Sequence, residues 1–422
     1  MAAVTTFLAT FCRARYGRQF SDRARFVSWQ NKQIAKHLRR LANNCPFYRG
    51  QDPTKLSSWP VMDKGSMMAN FDSLSATHFT KEVLMNAAVQ AETSRNFEAL
   101  DSSLTVGLSS GTSGNRGLFI ASATEQAAWA GTVLGLTLPH FLFKSTKIAL
   151  FLRANNALYE RCNFGAIQFH FFDLVNPLEE SSNQLVDLQP DVLVAPPSVL
   201  SRLSSQVPNL RPKKVYSVAE VLDPHVEKEL EQSFNGPIHQ IYQATEGFLG
   251  ITCRHGSLHL NEDLIHFEFQ SLGENRVSPI VTDFKRRTQP IVRYRLDDIL
   301  VLNPEPCPCG SVLQRVKAIE GRCDDVLELK GTAGKPVTIF PDFVVRAITN
   351  ADPALQDFRV VQTATNHLRL ELPTESRVAE ITAALTEFLE DAGVTRTTFS
   401  FSPYHPPAPL TKERRVQNIM CS

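Results

Sequence analysis

From Leu104 onward the chain alternates short apolar runs with stretches whose apolar residues recur at helical spacing. LTVGL, KIALFL, IQFHFF, DVLVAPP, KKVYSVAE and IHQIYQ read as strands, and SATEQAAWAGTVLGL reads as a helix begun by the capping-box pair Ser122 and Glu125. The alternation predicts an α/β layer structure, a sheet with covering helices. Upstream, FVSWQNKQIAKHLRRLA has helical periodicity ahead of a YRG turn, so residues 1–100 read as a helical lead-in that wraps or buttresses the layers. Beyond Gly321 the texture changes to a compact βαββα-like series: DDVLELKG, PDFVVRAIT, FRVVQTA, HLRLELP and VAEITAALTEFLEDAG. The expectation is a large domain over 1–321 and a small α+β domain over 322–422, divided near Gly321 to Asp325. SPYHPPAP, near the C-terminal end, reads as a stiff extended linker.

Length and composition agree with two cores, since 422 residues exceed what one core usually organises. Hydrophobic residues at 43% and charged ones at 21% describe an ordinary globular protein. With 44 basic and 43 acidic residues, the net charge of +1 gives no global field for nucleic acid or an acidic membrane. Neither partner is expected, and any anion site must be local. The longest nearly apolar stretch, Thr132 to Phe143, is broken by Pro139 and falls short of the roughly 20 residues a spanning helix needs. At the N-terminus the positive charges follow the apolar part, the reverse of a signal peptide, so a cytoplasmic protein is expected. Eight scattered cysteines, only 307 and 309 closely spaced, do not form a secreted disulfide framework.

The local anion site is sought in SSGTSGNRG, residues 109–117, directly after the strand-like LTVGL. Glycines at 111, 114 and 117 let backbone amides approach an anion, and the hydroxyls of Ser109, Ser110, Thr112 and Ser113 can donate to phosphate oxygens. Read alone, the string is also a flexible Ser/Gly loop. It fits neither GxxxxGK[ST] nor GxGxxG. In IYQATEG, residues 241–247, Thr245 and Glu246 offer hard oxygens suited to Mg²⁺. Cys253, His259, Cys307 and Cys309 could close a tetrahedral Cys₃His site that favours zinc in a structural role. His255 is the competing imidazole, and separate reduced cysteines in turns are the plain alternative.

The loop resembles the SSGT[ST]G loop of the adenylate-forming enzymes, in the branch of phenylacetate-CoA ligase and deazaflavin-coenzyme nucleotidyl synthetases. The resemblance implies an ATP-binding role for Ser109, Ser110, Gly111, Thr112, Ser113 and Gly114. The lysine common after the last glycine is Asn115 here, leaving Arg116 to supply the cation. Further matches follow in order. Ala219 and Glu220, in SVAE, align with the segment beside the adenine, and Tyr242 with the residue against its ring. Thr245 and Glu246 align with the catalytic turn, Glu246 as the Mg²⁺ ligand. In RYRLDD, Asp298 aligns with the aspartate on the ribose hydroxyls, with Asp297 one residue away as the other reading. In GRCDD, Arg322 aligns with a nucleotide contact and Asp324 with the pivot of a mobile small domain, while Lys412 in PLTKERR aligns with the adenylation lysine, preceded by Thr411 rather than glycine.

These matches span residues 109–412. They imply ATP-dependent, AMP-forming activation of a carboxylic acid, then transfer to the thiol of coenzyme A. No covalent enzyme intermediate is needed, so Cys323 is not assigned as a nucleophile. FLRANNALYERCNFGAIQFHFFDL resembles relatives of phenylacetate-CoA ligase in secondary metabolism, among them the anthranilate-activating enzyme of aurachin biosynthesis. A small aromatic acid, anthranilate or a benzoate relative, is therefore the expected substrate. The alternatives are an acyl carrier protein as acceptor, with adenylation weakened or lost, and a degenerate nucleotide-binding scaffold.

Overall fold

The computed structural model describes residues 2–17, 20, 22–94, 104–109, 116–138, 144–152, 166–174, 176, 178–352, 355, 357–374, 376–406 and 414–420, with the side chains of Asp324 and Asp342 set aside. Contacts divide the chain into two compact units. One comprises Met1–Gln270, Ile280–Leu296 and Leu302–Lys317; the other comprises Ser271–Pro279, Asp297–Val301 and Ala318–Ser422. The architecture is mixed α/β, with layered sheets and helices.

The first unit is built on parallel strands in the spatial order Ile167–Asp173, Thr146–Leu152, Val192–Ala195, Lys214–Ser217, Ile238–Ala244. Gly247–Thr252 and Leu258–Leu260 extend the sheet antiparallel. Because side chains alternate across a strand, Ala149, Phe151, Leu193, Ala195 and Val215 share a core with Leu185, Leu200, Leu203 and Leu230 from the helices Leu178–Leu188, Pro197–Gln206 and Pro224–Phe234. The neighbouring Ile148, Val192 and Tyr216 share another core, with Phe7 and Phe11 of helix Ala2–Tyr16 and with Ala130 and Leu134 of helix Ala123–Thr137. Burial on both faces is why KIALFL and DVLVA read as continuous apolar runs rather than alternating ones.

Helix Ala2–Tyr16 crosses helix Ala123–Thr137 at two glycines. A methyl on Gly131 would lie 2.3 Å from the Phe7 carbonyl oxygen, and one on Gly135 would lie 2.7 Å from that of Phe11. At both glycines the other helix's backbone comes this close together with the side chains of Thr10 and Ala14. The next helix, Arg23–Asn44, is capped by Asp22, whose carboxylate accepts from the Arg25 amide at 2.7 Å, and it buries Phe26, Gln30, Ile34, His37, Leu38 and Leu41. A separate antiparallel hairpin, Leu104–Leu108 with Leu118–Ser122, packs Leu104, Leu118 and Ile120 against Leu84 and Ala88 of helix Lys81–Ser94.

In the second unit a four-stranded sheet runs in the order Thr398–Pro403, His367–Leu372, Arg359–Ala364, Val416–Asn418. Its strands pack Val360, Leu368 and Leu370 against Val344 and Ile348 of helix Pro341–Ala351, Ile381 and Leu385 of helix Val378–Asp391, and Leu327 and Leu329 of the hairpin Leu327–Lys330 with Pro336–Ile339. The expected extended linker begins inside this sheet: Ser402 and Pro403 finish the edge strand Thr398–Pro403, a position where a proline is tolerated. Among the described residues no helix is long and apolar enough to cross a membrane.

Candidate functional site

Two of the expected segments emerge at the carboxyl ends of adjacent parallel strands, the usual position of ligand sites in such sheets. Ala219 and Glu220 follow Lys214–Ser217, and Thr245 and Glu246 form the turn after Ile238–Ala244. Ala219 has a φ of +67°, a left-handed conformation unusual for alanine. The Glu220 amide bonds back to the Val218 carbonyl at 2.8 Å, closing a tight turn around it. Glu220 is also drawn toward the preceding helix, Pro197–Gln206, its carboxylate accepting from the Ser198 amide at 3.3 Å. Tyr242 is buried on its strand opposite Gly250. Glu246 is half-buried in the turn.

The hairpin Leu104–Leu108/Leu118–Ser122 presents the glycine-rich loop, of which Ser109, Arg116 and Gly117 are described. Ser110, Gly111, Thr112, Ser113, Gly114 and Asn115 lie outside the described residues. The loop is closed at its base, where the Ser109 amide donates to the Gly117 carbonyl at 2.7 Å and the Gly117 amide to Ser109 Oγ at 2.7 Å. That bond occupies a lone pair on the hydroxyl and leaves its hydrogen able to donate. Arg116, expected to reach phosphate, instead donates through Nε to the Ser109 carbonyl at 3.0 Å and pairs in bidentate fashion with Glu92 at 2.6 and 2.7 Å.

The segment Asp283 to Gln289 links this hairpin to the Thr245–Glu246 turn. Arg286 donates to the Thr245 carbonyl at 2.6 Å, to the Ile120 carbonyl at 3.2 Å and to Gln289 Oε1 at 3.0 Å. Gln289 also accepts from the Ile120 amide at 3.1 Å and donates to the Leu118 carbonyl at 2.9 Å. The capping-box residue Glu125 has a second role: besides the Ser122 amide, it accepts from the Arg287 amide at 2.5 Å, the Thr288 amide at 2.9 Å and the Thr288 hydroxyl. Burial pushes the Glu125 carboxyl up, but these donors outweigh it and hold it below the ordinary carboxylate value. Asp283, fully enclosed, is raised by burial although it accepts from the Lys285 and Arg286 amides at 2.8 and 3.1 Å. Sequence reasoning did not single out Arg286, Gln289 or the second role of Glu125. The available signal was the unusually polar run DFKRRTQP set between two strands.

In the second unit, Arg322 donates to Asp297 at 2.9 Å and the Cys323 amide to the Asp297 carbonyl at 2.5 Å. Asp298 is the first residue of the strand Asp298–Asn303 and is half-buried. The hinge candidate Asp324 lies in the short turn Cys323–Asp325. The next residue, Asp325, pairs with Arg414, and the Val326 carbonyl accepts from Asn418 at 3.0 Å. Lys412 lies outside the described residues, two positions before Arg414.

The sulfur and imidazole candidates converge. One ligand atom from each of Cys253, His259, Cys307 and Cys309 lies within 4.8 Å of all the others. Cys253 Sγ is 3.8 Å from Cys307 Sγ, and Cys309 Sγ is 3.5 Å from His259 Nε2. Tetrahedral bonds of about 2.3 Å to sulfur put ligand atoms about 3.7 Å apart, so the spacing suits such a centre. Two glycine turns build it. The Gly256 amide returns to the Cys253 carbonyl at 3.0 Å and the Gly310 amide to the Cys307 carbonyl at 3.0 Å, both glycines at positive φ. Amides of His255 and Ser311 donate to Cys253 Sγ and Cys309 Sγ at 3.4 Å. Leu313 O, 3.1 Å from His259 Nδ1, turns Nε2 toward the thiols. His259 is buried whereas His255 is exposed, its Nε2 accepting from Arg254 Nε at 3.2 Å. Burial raises the Cys307 thiol, but hydrogen bonds from the Cys309 amide, Ser257 and His259 carry it down to about 6, while burial lifts Cys309 to about 11. Neighbouring thiolates repel, and a bound dication would relieve that repulsion.

No family model matches the chain. Among curated proteins, Protein CapK of Staphylococcus aureus is 28% identical over 153 residues, 34% of each chain, so the match spans about a third of that relative's length. Solved structures resemble it far more extensively. A 2-hydroxyisobutyryl-CoA ligase in the postadenylation state with 2-HIB-AMP superposes with a TM-score of 0.70 at 17% identity, over 95% of this chain and 91% of that one. The anthranilate-CoA ligase AuaEII with anthranoyl-AMP gives 0.53 at 15% identity, over 73% and 64%. An o-succinylbenzoate-CoA synthetase from Bacillus subtilis with OSB-AMP gives 0.55 at 14%, over 74% and 68%. The chain has the fold of the adenylate-forming acyl-CoA and aryl-CoA ligases.

Proposed function

We infer that this fold serves an AMP-forming acid–thiol ligase: a carboxylate oxygen attacks the α-phosphorus of ATP, the bond to the β-phosphate oxygen breaks and pyrophosphate leaves. A thiol then attacks the acyl carbon and AMP leaves. The observation that carries this reading is that Ala219–Glu220 and Thr245–Glu246 end adjacent strands, with the glycine-loop hairpin tied to the second turn through Arg286. Tyr242 supplies an aromatic face for adenine, and Glu246 a hard carboxylate for the Mg²⁺ that accompanies the triphosphate. Backbone amides and hydroxyls of Ser109 to Gly114 hold the phosphates, Asp298 the ribose hydroxyls and Arg322 the nucleotide. Lys412 neutralises charge developing between carboxylate and phosphate, and the chain from Arg322 onward forms the mobile domain, pivoting at Asp324.

The acyl substrate in this reading is a small aromatic acid of the anthranilate or benzoate type, and the acceptor is coenzyme A. Cys253, His259, Cys307 and Cys309 would hold a structural Zn²⁺, whose role is to fix the hairpin Gly247–Thr252/Leu258–Leu260 beside the catalytic turn. Pyrophosphate release with a panel of aromatic and aliphatic acids, with and without coenzyme A, tests the whole scheme. Release dependent on an aromatic acid, with a coenzyme A ester formed, is expected. No acid-dependent release overturns the ligase, and release without a coenzyme A ester overturns that acceptor.

A further inference from the structure

The glycine-loop hairpin and the Thr245–Glu246 turn belong to different sheets, so no shared strand ladder sets the distance between them. Magnesium triphosphate must be held by both at once, which makes that distance a catalytic quantity. Arg286 is where the two meet. One terminal nitrogen donates to the Thr245 carbonyl at 2.6 Å, and the other to the Ile120 carbonyl at 3.2 Å and to Gln289 at 3.0 Å. The planar fork of a guanidinium can span two carbonyls in this way with a fixed geometry, which a lysine's single nitrogen cannot.

The fork is itself immobilised. The Arg286 amide donates to buried Asp283 at 3.1 Å, and the Arg286 carbonyl accepts from Arg40 at 3.3 Å. On the following residues, Glu125 holds the Arg287 and Thr288 amides, and the Thr288 carbonyl accepts from the Ala76 amide at 2.7 Å. Asp283 also closes the far side of the turn: a methyl built on Gly247 would lie 3.5 Å from its Oδ2. The Arg286 guanidinium is also attracted to the charge of buried Asp283, which steadies the fork without an ion pair to that carboxylate among the described residues.

We propose that Arg286 is a positioning residue for the nucleotide, setting the span between the glycine-loop hairpin and the Glu246 turn so that both engage one magnesium triphosphate. The role rests on the adenylation reading. It acts through Thr245 and Ile120, not by touching substrate.

The test compares wild type, Arg286→Lys and Arg286→Ala in pyrophosphate release, titrating Mg·ATP, and in amide hydrogen exchange without nucleotide. In Arg286→Ala, KM for Mg·ATP is expected to rise roughly tenfold or more, as a misplacement of about 1 Å can produce, while KM for the acid stays near wild type. Guanidinium ion should restore part of the loss, and Arg286→Lys should fall between the two. Exchange should quicken together at 118–122 and 245–247 and remain unchanged in the second unit. An unchanged Mg·ATP KM in both variants, or equal loss toward acid and nucleotide without guanidinium rescue, overturns the role. Quickened exchange throughout the first unit, without the selective KM change, also overturns it. Wild-type protein that neither binds Mg·ATP nor releases pyrophosphate overturns the adenylation reading, and this role with it; an active wild type with unaffected variants overturns this role alone.

Discussion

The Glu92 carboxylate holds both terminal nitrogens of the Arg116 guanidinium, at 2.6 and 2.7 Å. A cation committed in this way clasps the base of the glycine loop from outside, and to reach a phosphate it would have to abandon a largely buried carboxylate. Glu92→Gln is therefore expected to lower stability in urea titration by about 1–3 kcal/mol while changing the Mg·ATP KM less than about threefold. A tenfold fall in that KM would show that released Arg116 does serve the phosphates.

The acid limb of stability should be steep because two histidines are buried neutral. Burial and the cations Arg40, Arg287 and Lys285 lower His37 from 6.5 to about 3, and burial with Lys214 lowers His239 to about 4. Both folded values lie below the unfolded one, so below pH 6.5 the unfolded chain takes up protons that the native state refuses. Stability is complete above pH 6.5 and is lost as pH falls toward 4 and 3. Urea titration at pH 5 should show a loss of about 2 kcal/mol per histidine relative to pH 7. His37→Gln should flatten this dependence, and an unchanged slope would contradict the assignment.

Substituting Gly131 by alanine should displace helix Ala2–Tyr16, since the new methyl would lie 2.3 Å from the Phe7 carbonyl. A loss of about 1–3 kcal/mol is expected, with proteolysis opening first within residues 1–20. The same substitution at Gly236, which meets nothing within 4 Å, is the control and should leave proteolysis unchanged.

Purified protein should carry about one zinc, and Cys309→Ser should lose most of it together with thermal stability. Gly250→Ala should act similarly at a distance, because its methyl would meet the carbonyl of the candidate ligand His259 at 2.8 Å. Metal analysis beside thermal unfolding checks both. Full zinc content in Cys309→Ser would remove Cys309 from the centre.

What could be read beforehand was what is local in the chain. Between Leu104 and Ala244 every strand except Leu118–Ser122 announced itself as a compact apolar run, and Ser122 with Glu125 announced a helix start, because burial and capping act within a few residues. The four soft ligands were legible by residue type, although only folding separates His259 from His255. Three strands of the second unit, Pro336–Ile339, Thr398–Pro403 and Val416–Asn418, were not anticipated. They are short, and the second alternates only weakly, its residues being exposed or half-buried. The ties through Arg286 and the second bonds of Glu125 were invisible for a different reason. They join residues more than 40 and 160 positions apart, and their chemistry lies in backbone amides and carbonyls, which every residue shares.

The cluster of Cys253, His259, Cys307 and Cys309 also bears on the history of a sample. Cys253 Sγ and Cys307 Sγ stand 3.8 Å apart, and Cys307 holds a low-lying proton. Coordination would cap both sulfurs. Once stripped in air, thiols this close are exposed to oxidative coupling, and a cluster so crosslinked no longer offers a full ligand set. If the cluster holds zinc, brief exposure to a chelator should thus age the protein irreversibly unless a reductant is present, the metal then being what guards these thiols.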